Sequence, residues 1–415
     1  MHKKYAQLYQ QAECNKETKH KYKCYKYLYA RMLKESTIRQ AWKNLRKGKT
    51  RRRSVKKIDA NLDEEIKAMQ ERIRNTKPEG YEVEHPELAY TPPKIRDTKI
   101  VNERGKRRLA HLADIREQWY FHIIVEVLKP IVLRRLYKYS CGSIPGRGPH
   151  MGKKYIENVI KAGKNIRYFL KVDIRHFYDS LRISVVIQEL RKEIDDDLFL
   201  YCIEKIYMYI KKGLLIGLFI SPWLANYTLI SLDTIITETD GTATVRYMDD
   251  ITVFANSKKA LANLLISMKK ELGRLRLKLK RTFQICKFDY ETKRTKQMKD
   301  GTIVKIRIGR PLDFMGFLFF RDRTVIRKRI MLSATRNARR MKKAKDKGRR
   351  YYIKMVRAMV SKMGWFRHTN SYDCYLAYIK PFVNIGKLKE IISRIDKEDN
   401  RNEGMENRAL LRAAA

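Results

Sequence analysis

The stretch VRYMDDITVF, residues 245–254, sets two adjacent carboxylates, Asp249 and Asp250, between segments whose apolar, β-branched and aromatic residues predict β-strands. Two like charges held that close disfavour joint ionisation unless a cation neutralises them. A divalent ion does so, and Mg²⁺ takes one or two carboxylates with substrate phosphates completing its shell. A polar β-turn is the plainer use of an Asp pair, so the surroundings have to decide. Upstream, FLKVDIRHFYDSL, residues 169–181, carries Asp173 at the end of an apolar strand. One acid from that strand and two from a hairpin, meeting at a sheet edge, suit a two-metal site. Its ions, about 3.5–4 Å apart, clamp the attacking and leaving oxygens of phosphoryl transfer.

These acids stand out against a strongly basic chain. Its 415 residues hold 93 Lys plus Arg against 45 Asp plus Glu, a net charge of +48. Such a surplus repels itself unless a polyanion lies against it. Nucleic acid is the leading partner and an anionic membrane surface the second. A hydrophobic content of 44% makes the chain globular despite 33% charged residues. The six cysteines (Cys14, Cys24, Cys141, Cys202, Cys286, Cys374) form no CxxC pair. That argues against a zinc module or disulfide framework and suits a reducing cytoplasm. The start, MHKKYAQLYQ, lacks the apolar run of a signal peptide. GLLIGLFISPWLANYTLISL, residues 213–232, has no charge and is long enough to span a bilayer. Ser221-Pro222, Asn226 and Thr228 interrupt it, so a loop feeding a buried helix after Pro222 is expected, and no membrane.

Along the chain, residues 1–57 are rich in Tyr and Lys, and Trp42 to Lys57 has nine basic residues and no acid. Ile66, Met69 and Ile73 recur at helical spacing. Residues 90–113 turn at ERGK, which predicts a hairpin, and Asp114 to Tyr137 predicts a helix. IRYFLKVDI reads as a strand, KALANLLISMKKELGRL as a helix and LDFMGFLFF as a buried strand. From Arg321 the chain is helical and basic, with sixteen Lys or Arg and two Asp over residues 321–357. An α+β core with a helical, cationic C-terminal subdomain follows.

With these blocks in order, the sequence resembles a bacterial or phage reverse transcriptase, related to the group II intron, diversity-generating retroelement and defence-associated lineages. YMDD (Tyr247 to Asp250) is similar to that family's palm signature, and KVDIRHFYDSL to its first catalytic block. GKRRL (Gly105 to Leu109) resembles the fingers block, SCGSIPGRGPH (Ser140 to His150) a block of the bacterial enzymes, and IGLFISPWLAN (Ile216 to Asn226) the block lining the nucleotide pocket. LDFMGFLFF is similar to the primer-grip hairpin and SKMGWFRHTNSY (Ser361 to Tyr372) to the bacterial thumb.

The resemblance implies a right-hand polymerase of α+β class, with fingers, a palm whose antiparallel sheet carries the YMDD hairpin, and a helical basic thumb. The expected division is a basic, mostly helical N-terminal extension over 1–85, fingers and palm over 86–320, thumb over 321–395 and a polar tail over 396–415. The implied activity is RNA-directed DNA synthesis. Asp173, Asp249 and Asp250, with the backbone carbonyl of Ile174, would hold two Mg²⁺ ions, Mn²⁺ being the alternative. Lys106 and Arg108, with Tyr178 as steric gate and Ile216, Gly217 and Asn226, are the implied nucleotide site. Phe314, Met315 and Gly316 are the implied primer grip. Arg147, Arg336, Arg339, Arg340, Lys342 and Lys343 are expected on nucleic acid. One of Lys278, Lys280 and Arg281 places a cation near the leaving pyrophosphate.

The implied partners are a dedicated structured RNA template, the DNA product, deoxynucleotides, and an accessory protein or a second copy. Two departures narrow the lineage. Ile216 stands where most relatives have Gln, as in retroelements that diversify target genes, but Ser221-Pro222 replaces their usual Ser-Gln. Met248 replaces the usual Ala of group II intron enzymes, and no nuclease region is recognisable. A free-standing retroelement or antiphage defence enzyme is expected. The alternatives are a mutagenic reverse transcriptase, a silent RNA-binding scaffold or maturase, and a template-independent, protein-primed or RNA-synthesising polymerase.

Overall fold

The computed structural model describes residues 24–94, 96–103, 106–163, 166–210, 213–349 and 351–395; the side chains of 102, 103 and 106 lie outside that description. Four helices come first, α1 (Leu28–Met32), α2 (Glu35–Arg46), α3 (Arg53–Ala60) and α4 (Leu62–Arg74). Ile66, Met69 and Ile73 line the buried face of α4, as their spacing predicts. These helices do not form a body apart. Leu28, Ile38, Trp42 and Ile66 share one core with α5 (Ile115–Arg135), and Trp42 meets Trp119 at 4.8 Å between ring centroids. Between α4 and α5 a ribbon of β1 (Thr98–Glu103) and β2 (Lys106–His111) pairs from Thr98↔His111 to Glu103↔Lys106, the expected hairpin.

Next come α6 (Pro149–Ala162), β3 (Tyr168–Asp173), α7 (Phe177–Ser180), α8 (Ile183–Arg191), α9 (Asp197–Ile206), α10 (Ser221–Thr228), α11 (Ile230–Thr237), β4 (Thr242–Tyr247), β5 (Asp250–Ala255), α12 (Lys258–Arg274) and β6 (Gln284–Lys287). The uncharged stretch 213–232 is a loop followed by two short buried helices, with Pro222 in the first turn of α10. No helix among the described residues is long and apolar enough to cross a membrane.

The central sheet has strand order β4-β5-β3-β6 and is antiparallel throughout. Alternation sends Leu170, Val172, Ile251 and Val253 into the large core beneath, while Phe169 and Phe254 pack into a second core with α6. Both faces are covered, so the strands read as nearly continuous apolar runs. Lys171 and Asp173 lie on the Phe169 face, and Asp250 and Thr252 are paired opposite them.

Beyond β6 the chain forms a ribbon, β7 (Tyr290–Gln297) and β8 (Ile303–Ile308), then a three-stranded sheet of β9 (Leu312–Phe314), β10 (Phe317–Phe319) and β11 (Thr324–Ile326). The segment LDFMGFLFF is thus a tight hairpin, as its resemblance to the primer-grip hairpin implies, and not the one strand its apolar run predicts. Met315 and Gly316 between its strands both have positive φ, 50° and 91°, the signature of a type I′ turn. α13 (Lys328–Asp346), α14 (Ile353–Arg367), α15 (Tyr372–Tyr378) and a helical segment over 385–395 follow, around Ala338, Met359 and Phe366. Trp365 docks them on the palm by packing on Phe317 at 4.9 Å, and a Cβ on Gly316 would strike its ring.

Candidate active site

The hairpin of β4 and β5 closes through Tyr247↔Asp250, leaving Met248 and Asp249 as a two-residue loop. Met248 has φ 56°, a left-handed conformation that costs a non-glycine residue energy and persists only where its surroundings impose it. A buried network around Arg246 surrounds it. The Arg246 guanidinium donates through Nη1 to the Met248 carbonyl at 3.1 Å and to Asn226 Oδ1 at 2.9 Å. It also binds Asp233 through both carboxylate oxygens, at 2.7 and 2.6 Å. Asn226 Nδ2 donates to the Gly142 carbonyl at 3.0 Å. Arg246 and Asp233 are almost fully buried, so this is a desolvated ion pair inside the palm. Gly142 backs onto the turn: a Cβ there would lie 2.5 Å from Met248 Cγ and 2.7 Å from its nitrogen. A Gly142→Ala protein is therefore expected to fold but to show a lower kcat with little change in Kd for primer–template. Single-turnover extension and filter binding check it.

The sheet brings the three acids together. Asp173 lies directly opposite Asp250 in the β3–β5 ladder, and the Ile174 N–H donates to the Asp249 carbonyl at 3.1 Å. Burial pushes the Asp250 carboxyl up to about 7; Lys171 opposes that rise, while Asp173 and Asp249 add to it. Burial also raises Asp249, with Asp173 the next cause. Lys171 Nζ stands 3.9 Å from Asp250 Oδ2 and donates to the Asp313 carbonyl at 2.5 Å. Lys280 Nζ lies 2.6 Å from Asp173 Oδ1. Of the three cations weighed in LRLKLKRT, Lys280 is the one that reaches a candidate carboxylate.

The donor set fits a divalent cation. Asp250 Oδ1 is buried without a hydrogen-bond partner, and only added positive charge relieves three carboxylates crowded at one sheet edge. Among the described residues no three His, Cys, Asp or Glu side chains are by themselves arranged to hold a metal ion. Mg²⁺ does not need one, since it keeps waters and borrows substrate phosphates.

The nucleotide side is assembled in part. Tyr178 is half-buried, and its phenol is raised well above the ordinary range by burial first and by Asp249 next. Arg108 on the fingers ribbon acts in the opposite sense on both Tyr178 and Asp249, so its charge is felt at the site. The Lys106 side chain lies outside the described residues. Gly217 has φ 110°, and a Cβ there would collide with the His111 carbonyl. His111 N–H in turn donates to the Ile216 carbonyl at 2.7 Å, tying the fingers ribbon to the loop before α10. Asn226, expected at the nucleotide, is instead fully buried beneath the YMDD turn, its amide engaged by Gly142 and Arg246.

The expected primer grip is buried as side chains: Phe314 is in the core, and Met315 packs against Gly152. Arg147 donates to the Tyr137 carbonyl at 2.8 Å and is half-buried, a structural placement. Arg336, Arg339, Arg340, Lys342 and Lys343 are all exposed on α13. Arg336, Arg340 and Lys362 line a cleft of about 640 Å³ between α13 and α14. Lys171, Arg246 and Asp233 escaped the sequence reading. Lys171 was recoverable, because two residues before Asp173 on a strand is the same face.

Residues 19–287 match the model of the family described as reverse transcriptase (RNA-dependent DNA polymerase). The match covers more than half of the chain, and the protein belongs to that family. Its fold is the right-hand polymerase, and members of the family use divalent metal ions. A solved structure of telomerase from Candida albicans, in complex with the TWJ fragment of telomeric RNA, is similar at 10% identity and a TM-score of 0.41. The likeness covers 67% of this chain and 59% of that one, so the chain spans less than two thirds of its length. No curated protein matches the sequence.

Proposed function

We propose that the protein is an RNA-directed DNA polymerase that extends a primer hydroxyl with deoxynucleotides. The observation that carries this reading is Asp173 paired across the sheet from Asp250, with the Ile174 N–H on the Asp249 carbonyl. Asp173, Asp249, Asp250 and the Ile174 carbonyl would hold Mg²⁺, two ions with Mn²⁺ as alternative; when bound they supply charge neutralisation at the attacking and leaving oxygens. Arg108, with Lys106, binds the triphosphate, and Lys280 stands ready beside Asp173 as the diphosphate departs. The type I′ turn at Met315-Gly316 steadies the primer strand by its backbone. The exposed cations of α13 track the template–primer duplex through phosphates. Catalysis is then chiefly positioning and electrostatics. Fingers and palm over 86–320 and thumb over 321–395 are the working division, with the N-terminal helices packed into the same core; the tail over 396–415 lies outside the described residues.

Tyr178, whose phenol feels the Asp249 charge, is on this reading the ring that a ribose 2′-hydroxyl would meet. Tyr178→Ala is expected to raise ribonucleotide incorporation relative to deoxynucleotide by about tenfold or more, the scale on which removing a steric contact changes specificity. Competition between the two nucleotides on one primer–template measures it. An unchanged ratio removes Tyr178 from the gate.

A free-standing prokaryotic retroelement or antiphage defence enzyme is the biological setting we infer, a mutagenic diversifying enzyme being the second. Ser221-Pro222 supports that order, Met248 sets the chain apart from group II intron enzymes, and Ile216 is the feature that favours the second. Sequencing the RNA and DNA that co-purify from the native host tests it: variable target-gene sequence with dispersed substitutions would favour the second. The polymerase reading is tested by primer extension on RNA with deoxynucleotides. Tight RNA binding without incorporation on any template would instead make the protein a scaffold or maturase.

A further inference from the structure

Between β6 and β9 the chain leaves the palm as a free-standing ribbon. β7 and β8 pair from Tyr290↔Ile308 to Gln297↔Ile303, with an irregularity between Glu291 and Thr295. Every residue from 293 to 306 is exposed. A two-stranded ribbon is marginal in water by itself, and this one is held at its root. Arg310 N–H donates to the Lys287 carbonyl at 2.9 Å, Asp289 N–H to the Arg310 carbonyl at 3.0 Å, and Arg307 bridges Asp289 and Asp322. The family match ends at residue 287, so the ribbon lies outside it.

The ribbon is remote from the reacting end of the palm. β6 runs antiparallel to β3, with Gln284 opposite Lys171 and Lys287 opposite Tyr168. The ribbon therefore departs where β3 begins, while Asp173 ends that strand. The strand between them spans on the order of 17 Å at about 3.4 Å per residue.

Its charge is concentrated in the half that reaches furthest out. Residues 293–299 hold Lys293, Arg294, Lys296 and Lys299 with no acid. Among the described residues none of these four has an ion-pair partner, whereas Lys305, opposite Thr295 on β8, pairs with Glu291 at 3.2 Å. Four unpaired cations on so weakly supported a ribbon repel one another until a polyanion lies along them. A second copy of the chain would bring two such clusters together, which disfavours self-association there. The exposed aliphatics Ile303 and Val304 stand on β8 opposite Gln297 and Lys296, and Ile306 lies beside the irregularity.

We propose that the β7–β8 ribbon is a second RNA-binding element, which grips the sugar–phosphate backbone of a folded RNA outside the polymerase cleft. It rests on the polymerase reading only in taking RNA as the ligand. The test loads the full-length protein with excess unlabelled short primer–template, then titrates a labelled RNA stem-loop at several salt concentrations. The unaltered protein binds the stem-loop as a second ligand. The variant carrying Lys293→Glu, Arg294→Glu, Lys296→Glu and Lys299→Glu binds it at least tenfold more weakly, with a log–log salt slope smaller by roughly 3. Its extension of the short primer–template keeps the unaltered rate. A variant with Gln at the same four positions guards against misfolding and shows an intermediate loss.

Equal stem-loop binding by all three proteins, or no second binding by the unaltered chain, overturns the proposal. So does displacement of the stem-loop by poly-glutamate at matched charge concentration, which would assign the ribbon to an acidic protein. Binding needs no turnover, so failure of extension in every protein would reject the polymerase reading while the ribbon is still judged on binding.

Discussion

Primer extension by the Asp249→Ala protein falls by at least about a thousandfold, and by the Asp173→Ala protein equally, the scale expected when several kcal/mol of charge stabilisation leave a phosphoryl-transfer site. The two acids come from distant segments, yet the ladder sets Asp173 opposite Asp250 and the Ile174 amide on the Asp249 carbonyl. Removing either leaves the other carboxylate and Lys280 without the arrangement that holds a cation. Stability moves the other way. Burial raises Asp250 from 3.8 to about 7 in the folded chain. The native state therefore holds this proton more tightly than the unfolded state, and stability declines as pH rises through that interval. Asp250→Asn abolishes that decline: in chelator at pH 8 its Tm exceeds that of the unaltered protein, and at pH 4 the two converge. Thermal melts at both pH values check it. Undiminished extension by Asp249→Ala sinks the catalytic assignment, and a lower Tm for Asp250→Asn at pH 8 sinks the electrostatic account.

What could be read in advance follows how local the cause is. Asp173 and the Asp249–Asp250 pair announce themselves because each ends or begins an apolar strand, and the strand pattern fixes where it points. The α4 helix is equally local, its buried Ile66, Met69 and Ile73 repeating at helical spacing. Asn226 shows the limit: the block around it was recognisable, but its side chain serves Gly142 and Arg246, contacts that exist only once the chain is folded. LDFMGFLFF read as one strand because its apolar residues run on through the turn, and Met315 hides a left-handed position that Asn or Gly would have advertised. The β7–β8 ribbon escaped the reading although Val304, Lys305, Ile306, Arg307 and Ile308 alternate as a strand does, because residues 291–297 opposite them are polar throughout.

The larger structural effect belongs to Arg246. Arg246→Ala strands Asp233 as a buried, unpaired carboxylate and is expected to destabilise the fold by about 3–5 kcal/mol. It also frees the Met248 carbonyl and Asn226 Oδ1, so the Asp249 loop loses what holds its left-handed residue. Removing both charges as Arg246→Met with Asp233→Leu separates these effects. Such a protein buries no lone charge and regains most of the lost stability, but nothing donates to the Met248 carbonyl. Its melting temperature should return towards that of the unaltered chain, while kcat stays at least tenfold down and the divalent-ion concentration for half-maximal rate rises. Recovery of both stability and rate would show that the ion pair only fills space. Recovery of stability alone makes Arg246 a positioning residue, which sets the Asp249 carboxylate through the backbone of the residue before it.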